Sequence, residues 1–225
     1  MRKYIGILDL LLLGVILFGP AIFNSLKTVK DEQDDSEDMC EFSKKENIYA
    51  LIMQSIQLFI ALIYLKLRGV NPFQFSFHIS TRSFLFALGL FCIYGLCMDI
   101  LTSLKYGFSW IFKILLHNIP VFSALKDVNL SLVLISMLNG FYEEFFFLAV
   151  WSYIDPKYSV AALVFMIIIR ILIHTYQGWP TALAIGIGLG MGNYILFTQF
   201  SDNLFIYSLA HIIADIFGLS LFNLL

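Results

Sequence analysis

Two adjacent carboxylates, Glu143 and Glu144, stand in the middle of an apolar stretch that runs from Leu130 to Tyr153. A charged side chain at the centre of a bilayer costs roughly 2.5–3.5 kcal/mol on insertion scales, and each carboxylate makes ionisation of its neighbour harder. An ionisable residue inside a membrane is by default a candidate for a functional site. The pair therefore predicts proton chemistry within a membrane, with other polar residues facing it.

Four further ionisable residues follow in apolar stretches. Arg170 and His174 are four residues apart, as are His211 and Asp215, so each pair shares one face of a helix. With a rise of about 1.5 Å per residue, the two glutamates and these four residues lie roughly 12–27 Å from one membrane surface. A single histidine at that depth is as consistent with helix packing, but the joint arrangement favours catalysis or proton transport. Adjacent glutamates point about 100° apart, so one faces a cavity and the other needs its own partner.

Membrane-spanning helices are the elements that would position these residues. The 225 residues are 60% hydrophobic and 13% charged, and apolar stretches of about 20 residues, long enough to cross a bilayer, recur throughout. We predict an all-α, polytopic transmembrane helical bundle in a single domain, 1–225, at the cell membrane. Seven spans are predicted, at 4–24, 48–67, 83–104, 130–153, 158–176, 181–200 and 203–225.

The segment 105–129 is ambiguous because Lys113, His117 and Pro120 interrupt it. It is predicted as an amphipathic or re-entrant helix, and the alternative is an eighth span, which would reverse the topology of everything after it. Basic residues before the first span and in the loop 68–82 predict a cytoplasmic N-terminus and a cytoplasmic loop. The polar, mostly acidic loop 27–47 is predicted to be external.

Charge and cysteine usage exclude two other classes. The net charge is −2 and no basic patch is present, so the sequence gives no indication of nucleic-acid binding. Three cysteines do not form a disulfide framework.

Four glycines in the sixth predicted span form two small-xxx-small pairs, which predict close helix packing: Gly186 with Gly190, and Gly188 with Gly192.

The order of the polar motifs resembles that of the CPBP family, the CAAX protease and bacteriocin-processing (Abi) family of intramembrane proteases. That family carries EExxxR on one helix, FxxxH on the next and HxxxN or HxxxD on a later one. This chain has Glu143-Glu144, then His174, then His211-xxx-Asp215. Each motif alone is weak, and the three in order with suitable spacing make a stronger match.

The resemblance covers 130–225 and implies a four-helix catalytic core there, with N-terminal helices and the acidic loop in 1–129. Two positions depart from the family pattern. Leu148 stands where the arginine of the first motif belongs, and Arg170 stands where the phenylalanine of the second belongs. We predict that Arg170 takes over the role of the missing arginine, which is to hold Glu144 ionised and oriented.

The resemblance implies an intramembrane endopeptidase in which Glu143 is the general base that activates a water molecule. His174 would hold and polarise this water, and His211 with Asp215 would stabilise the oxyanion. An ionised Asp215 cannot donate a hydrogen bond, so it must be protonated or must orient His211. No cofactor is expected in this version. The alternative is a divalent metal such as zinc, with Glu143, His174 and His211 as ligands and an open fourth position.

The resemblance implies a peptide or protein substrate, either a CAAX-like C-terminus or a bacterial peptide. The small size and the Phe/Ile/Lys/Asn-rich usage favour a bacterial protein and a hydrophobic or amphipathic peptide, such as a pheromone or bacteriocin precursor. An inactive bacteriocin-immunity or scaffold protein is the first alternative, supported by the arginine missing at Leu148. A proton-coupled transporter subunit is the second, although no repeat or broken helix is evident around Glu143. The oligomeric state is left open.

Overall fold

Long apolar helices account for most of the residues that the computed structural model describes, which are 4–31, 43–106 and 128–218. The sequence predicted an all-α chain, and this is confirmed. In this part of the chain the only extended pairing consists of two isolated β-bridges. The α-helices are α1 (Ile7–Asp31), α2 (Lys44–Leu67), α3 (Thr81–Tyr106), α4 (Leu130–Glu144), α5 (Ser159–Ile173), α6 (Trp179–Leu183), α7 (Gly190–Gln199) and α8 (Leu204–Phe217).

Two of the spans contain a π-helical turn. Helix α4 continues into a π-helix, Phe145–Ala149, and then a 3-10 helix, Val150–Tyr153. Helix α6 continues through a π-helix, Ala184–Leu189, into α7. Such wide turns are rare and are often found at functional sites.

Six helical stretches are long and apolar enough to cross a membrane, and they correspond to the first six predicted spans. The described residues therefore have the character of a multi-pass membrane protein. The stretches are Ile7–Thr28, Lys44–Leu67, Thr81–Ile100, Leu130–Tyr153, Pro156–Ile173 and Trp179–Gln199. The seventh predicted span, 203–225, contains the 14-residue helix α8, which is apolar but shorter, and its last seven residues lie outside the described residues.

The predicted loop 27–47 is wrong at both ends, because α1 extends to Asp31 and α2 begins at Lys44. The start of α2 is fixed by a capping box: the Ser43 hydroxyl accepts from the backbone N–H of Glu46 at 3.3 Å, and the Glu46 carboxylate accepts from the backbone N–H of Ser43 at 2.7 Å. Ser-x-x-Glu before an apolar run is a signature of a helix start. The remainder of the loop lies outside the described residues.

Hydrogen bonds gather the N-terminus and three loops at one end of the bundle, which we call the closed end (residues 4–6, 68–80, 153–158 and 200–203). The backbone N–H of Ile5 donates to the carbonyl of Tyr153 at 2.8 Å, and that of Leu204 donates to the carbonyl of Ser76 at 2.9 Å. Helices α1, α3, α5 and α8 therefore start at this end, which agrees with the predicted placement of the N-terminus and the loop 68–82 on one side.

The opposite end, which we call the open end, contains the last turns of α1 and α5 and the first turns of α2 and α4. There the hydroxyls of Ser25 and Thr175 are 2.8 Å apart, and the Asn47 amide donates to the Ser131 hydroxyl at 3.4 Å. Helix α4 thus begins at the end where α3 finishes. The segment 105–129 itself lies outside the described residues, apart from its first two and last two positions.

Helix α4 is the central element, since every residue from 142 to 150 is buried. Phe18 of α1 packs edge-to-face against Tyr142 and Phe146, with ring centroids 5.3 and 5.0 Å apart. Pairs of this kind contribute roughly 0.5–1.5 kcal/mol beyond their buried area. The aromatic packing fixes α4 around the two glutamates.

The glycines of the π-helical span behave as two different pairs. A Cβ at Gly186 would lie 2.2 Å from the Ile171 side chain of α5, and one at Gly190 would also contact α5. A Cβ at Gly188 or at Gly192 would meet none of the described residues within 4 Å. The predicted close packing is therefore confirmed for Gly186 and Gly190 and wrong for the other pair.

Candidate functional site

A cavity of about 670 Å³ extends into the bundle from the open end. Its volume is within the range of roughly 300–1,000 Å³ that is typical of ligand sites. Residues near the ends of helices form the entrance, among them Thr28, Glu46 and Gln177. All the site residues predicted from the sequence line this cavity: Glu143, Glu144, Arg170, His174, His211 and Asp215.

Glu144 is the deepest of these side chains and is only 1% exposed. Its Oε1 accepts hydrogen bonds from Arg170 Nη2 and from His211 Nδ1, the latter at 2.9 Å. The Arg170 guanidinium is also buried and lies 4.3 Å above the ring centroid of Phe147. The predicted contact between Arg170 and Glu144 is confirmed, and it links α4, α5 and α8 through one carboxylate oxygen.

Glu143 is held much less firmly than its neighbour. It is 6% exposed, and its Oε2 lies 4.0 Å from His211 Nε2, which is beyond hydrogen-bond distance. This buried oxygen has no hydrogen-bond partner among the described residues. The prediction that one glutamate faces a cavity while the other has its own partner therefore fits the geometry. A buried carboxylate oxygen without a donor is costly, so Glu143 is prepared to accept a bond from water or a ligand.

His174 is positioned by the end of α5. The helix stops at Ile173, three residues before the predicted end of that span, and His174 forms its C-cap with φ −103° and ψ 3°. The ring nitrogen Nδ1 lies 2.8 Å from the carbonyl oxygen of Arg170, so Nδ1–H donates and Nε2 is left as an acceptor. The chain then turns at Gly178, whose φ of 86° favours glycine.

The segment after His174 is tied to α1, which holds the histidine in place. The Ser25 hydroxyl bonds the Thr175 hydroxyl and accepts from the backbone N–H of Tyr176, both at 2.8 Å. Ser25 is 4% exposed and Thr175 is fully buried. Because these bonds are protected from water, the end of α5 cannot shift without leaving polar groups unsatisfied.

His211 and Asp215 interact along one face of α8, as their spacing predicted. His211 Nε2 lies 3.5 Å from Asp215 Oδ1, and the other carboxylate oxygen of Asp215 accepts from the Asn139 amide at 2.9 Å. The Asn139 amide oxygen in turn accepts from Gln54 at 2.9 Å. Of the two roles considered for Asp215, this geometry favours orientation of His211.

Gly140 brings α8 close enough to α4 for these contacts. A Cβ at this position would lie 2.7 Å from the Ile212 side chain and 2.9 Å from the carbonyl oxygen of Ser208. Real Cβ atoms do not approach that closely, so only glycine permits this helix crossing. The crossing sets His211 2.9 Å from Glu144 and 4.0 Å from Glu143.

Several polar residues of the cavity were missed in the sequence. Asn47, Gln54 and Gln57 follow one another at i, i+7 and i+10 on one face of α2, and all three line the cavity; we call them the amide stripe. Tyr94 of α3 and Asn193 of α7 also line the cavity and are hydrogen-bonded to each other. The signal was available, since amides at helical spacing in an otherwise apolar helix indicate a face turned away from lipid.

The described residues contain no group of three or more His, Cys, Asp or Glu side chains arranged to hold a metal ion. The alternative ligand set of Glu143, His174 and His211 is therefore not assembled as such a cluster in this part of the chain.

Comparison with known proteins gives no match: no protein family, no curated protein and no solved structure resembles the chain closely enough to be counted. The resemblance of the motifs to the CPBP family stays a prediction. What the cavity does must be inferred from its own geometry.

Proposed function

We propose that this protein is an intramembrane peptidase in which Glu143 activates a water molecule for attack on a peptide bond. The observation that carries the proposal is the contrast between the two glutamates. Glu144 is bound by Arg170 and His211, whereas Glu143 lines the cavity and has a buried oxygen with no donor among the described residues. A fixed carboxylate beside an unsatisfied one suits a site in which the second carboxylate exchanges protons with a ligand.

The chemistry follows from the atoms that face the cavity. Glu143 takes one proton from water, and the remaining O–H donates a hydrogen bond to His174 Nε2. The water oxygen bonds to the carbonyl carbon of the substrate. The oxyanion that forms accepts a hydrogen bond from His211 Nε2–H, which it shares with Asp215 at 3.5 Å, while Nδ1–H stays bound to Glu144. The C–N bond then breaks and Glu143 gives its proton to the leaving amine. The products are one carboxylic acid and one amine.

The motif resemblance adds support that is independent of the cavity. The general base, the water-holding histidine and the oxyanion pair fall on the positions that the CPBP pattern implies, namely Glu143, His174, His211 and Asp215. The arginine absent at Leu148 is the main departure. The ion pair between Arg170 and Glu144 offers a replacement from the neighbouring helix.

Cleavage of a peptide panel by the purified full-length protein in liposomes tests the proposal. In water enriched in ¹⁸O, mass spectrometry should find one heavy oxygen in each newly formed carboxyl group. Glu143→Gln should lower the rate by about 10²–10⁴-fold, the usual contribution of a general base. Asp202→Asn, an exposed carboxylate at the closed end, is the matched control and should cleave normally.

Two results would contradict the mechanism. Cleavage that survives Glu143→Gln would remove Glu143 from the chemistry. Cleavage that is abolished by a chelator and restored by zinc would replace the metal-free route with a metal-dependent one. Absence of cleavage by the wild type across the panel would contradict the peptidase proposal as a whole.

Proton-coupled transport is the second candidate, and one observation favours it. The sequence showed no broken helix near Glu143, but the structure has a π-helical turn directly after Glu144 and another at Ala184–Leu189. Interrupted helices are typical of transporter binding sites. A pH-sensitive dye trapped in liposomes would report proton entry. Entry that depends on Glu143, in a protein that cleaves nothing, would favour this candidate.

A further inference from the structure

We propose that the cavity takes an extended, positively charged peptide segment that enters from the open end, with its basic side chains near Glu46 and Asp215 and its backbone along the amide stripe. This inference rests on the proposed peptidase function and specifies its substrate class.

The first reason is the charge of the cavity. Its lining includes Glu46, Glu143, Glu144 and Asp215, whereas Arg170 is the only Lys or Arg among the described lining residues. Arg170 is already paired with Glu144. Of the other three carboxylates, Glu143 and Asp215 lie 4.0 and 3.5 Å from His211, and Glu46 belongs to the capping box of α2. A negative cavity with low-dielectric walls attracts cations and repels anions.

The second reason is which atoms lack a partner. Three buried oxygens that belong to cavity-lining residues accept no hydrogen bond from the described residues: Gln54 Oε1, Glu143 Oε2 and Glu144 Oε2. The one lining donor in the same condition is Arg170 Nε, whose guanidinium is engaged by Glu144. The cavity lining therefore has more unpaired acceptors than unpaired donors. This favours a ligand that donates hydrogen bonds, as ammonium, guanidinium and backbone N–H groups do.

The amide stripe indicates a peptide rather than a small cation. Asn47 and Gln57 are ten residues apart on α2, so the stripe is about 15 Å long at a rise of 1.5 Å per residue. An extended chain rises about 3.3 Å per residue, so the stripe matches four or five residues. Each amide also bonds to α4, with Ser131, Asn139 or Tyr142 as its partner. Side-chain amides both donate and accept, which is the requirement for binding peptide groups away from water.

Binding of three labelled decapeptides by the purified full-length protein tests the inference. The peptides differ only at two central positions, which are Lys, Gln or Glu, and fluorescence anisotropy at 4 °C gives the affinities. The Lys peptide should bind at least about tenfold more tightly than the Glu peptide. The ratio should shrink between 0.05 and 0.5 M salt because part of the attraction is screened.

Variants with matched controls locate the effect. Glu46→Gln keeps a side chain that suits the capping box and removes its charge. Combined with Asp215→Asn, it should reduce the Lys preference several-fold, whereas the exposed carboxylate variant Asp202→Asn should not. Gln54→Leu should weaken the binding of all three peptides equally. Gln199→Leu, which replaces an exposed amide in the last turn of α7, should weaken none.

The outcomes separate this inference from the peptidase proposal. Tight binding of the Lys peptide without cleavage would support the ligand class and contradict the peptidase. Cleavage with equal affinity for the Lys and Glu peptides would support the peptidase and overturn the inference. Binding of spermidine or zinc chloride as tight as that of the Lys peptide, unaffected by Gln54→Leu, would identify a small cation as the occupant and also overturn it.

Discussion

Replacing Arg170 by Met should show how much the buried ion pair between Arg170 and Glu144 contributes to the stability of the protein. The change keeps an unbranched side chain over Phe147 but leaves Glu144, 1% exposed, without its guanidinium partner. Breaking a buried pair by removing one partner costs roughly 3–5 kcal/mol. His211 still donates to Glu144 at 2.9 Å, so we expect the lower end, about 3 kcal/mol. For a chain of this length that is a fall in Tm of about 6–12 °C.

The double variant Arg170→Met with Glu144→Gln tests whether the loss in free energy of unfolding comes from breaking the ion pair. Glu144→Gln alone should cost a similar amount, because it leaves the Arg170 cation buried. Arg170→Met combined with Glu144→Gln removes both charges, and such replacements are often close to neutral. Thermal unfolding in detergent, followed by tryptophan fluorescence, should therefore give a coupling energy of at least about 2 kcal/mol.

Lys157→Met, which removes a 63% exposed lysine paired with Asp155, is the control and should cost less than about 1 kcal/mol. Additive losses for the two single variants, within about 0.5 kcal/mol, would refute the account of the pair.

Three further predictions concern the α4–α8 crossing at Gly140, the side chain of Arg170 and the amide of Asn139. Gly140→Ala should destabilise the protein by about 1–3 kcal/mol because its Cβ would collide with α8. Gly188→Ala, which would meet none of the described residues, should leave Tm nearly unchanged, and equal Tm values for both variants would contradict the crossing. Arg170→Phe should abolish cleavage, and adding Leu148→Arg should restore it if the two positions serve one carboxylate; a folded but inactive double variant would count against that exchange. Asn139→Leu removes a hydrogen bond to a charged group, worth roughly 1.5–3 kcal/mol, so turnover should fall at least about tenfold and the pH profile should move; an unchanged profile would show that Asn139 does not act on His211 through Asp215.

The set of ionisable residues was predictable because a membrane leaves such groups few alternatives. Charges in apolar helices must face each other or a cavity, so Glu144, Arg170 and His211 were expected to meet, and their atoms do. The spacing of His211 and Asp215 gave their shared face. The six long spans followed from length and apolar composition alone.

The local backbone and the uncharged polar residues were not predictable in the same way. An amide in an apolar helix costs less than a charge, so Gln54 and Asn139 carried a weaker signal than the glutamates. Nothing in Phe145–Ala149 marks a π-helix, which depends on packing from several helices. The early end of α5 at His174 depends on bonds from Ser25, which is 149 positions away in the chain.

Changes in chain length within the glutamate helix are constrained by its π-helical turn. A π-helix holds one residue more per turn than the α-helix around it, so deleting one residue from Phe145–Ala149 would turn it into ordinary α-helix. The half that follows is anchored, because the Tyr153 carbonyl accepts from Ile5. The half that precedes it would rotate by about 100° and move by about 1.5 Å. Deletion of a single residue from Phe145–Ala149 would therefore turn Glu143 and Glu144 out of the cavity, although the protein would still cross the membrane.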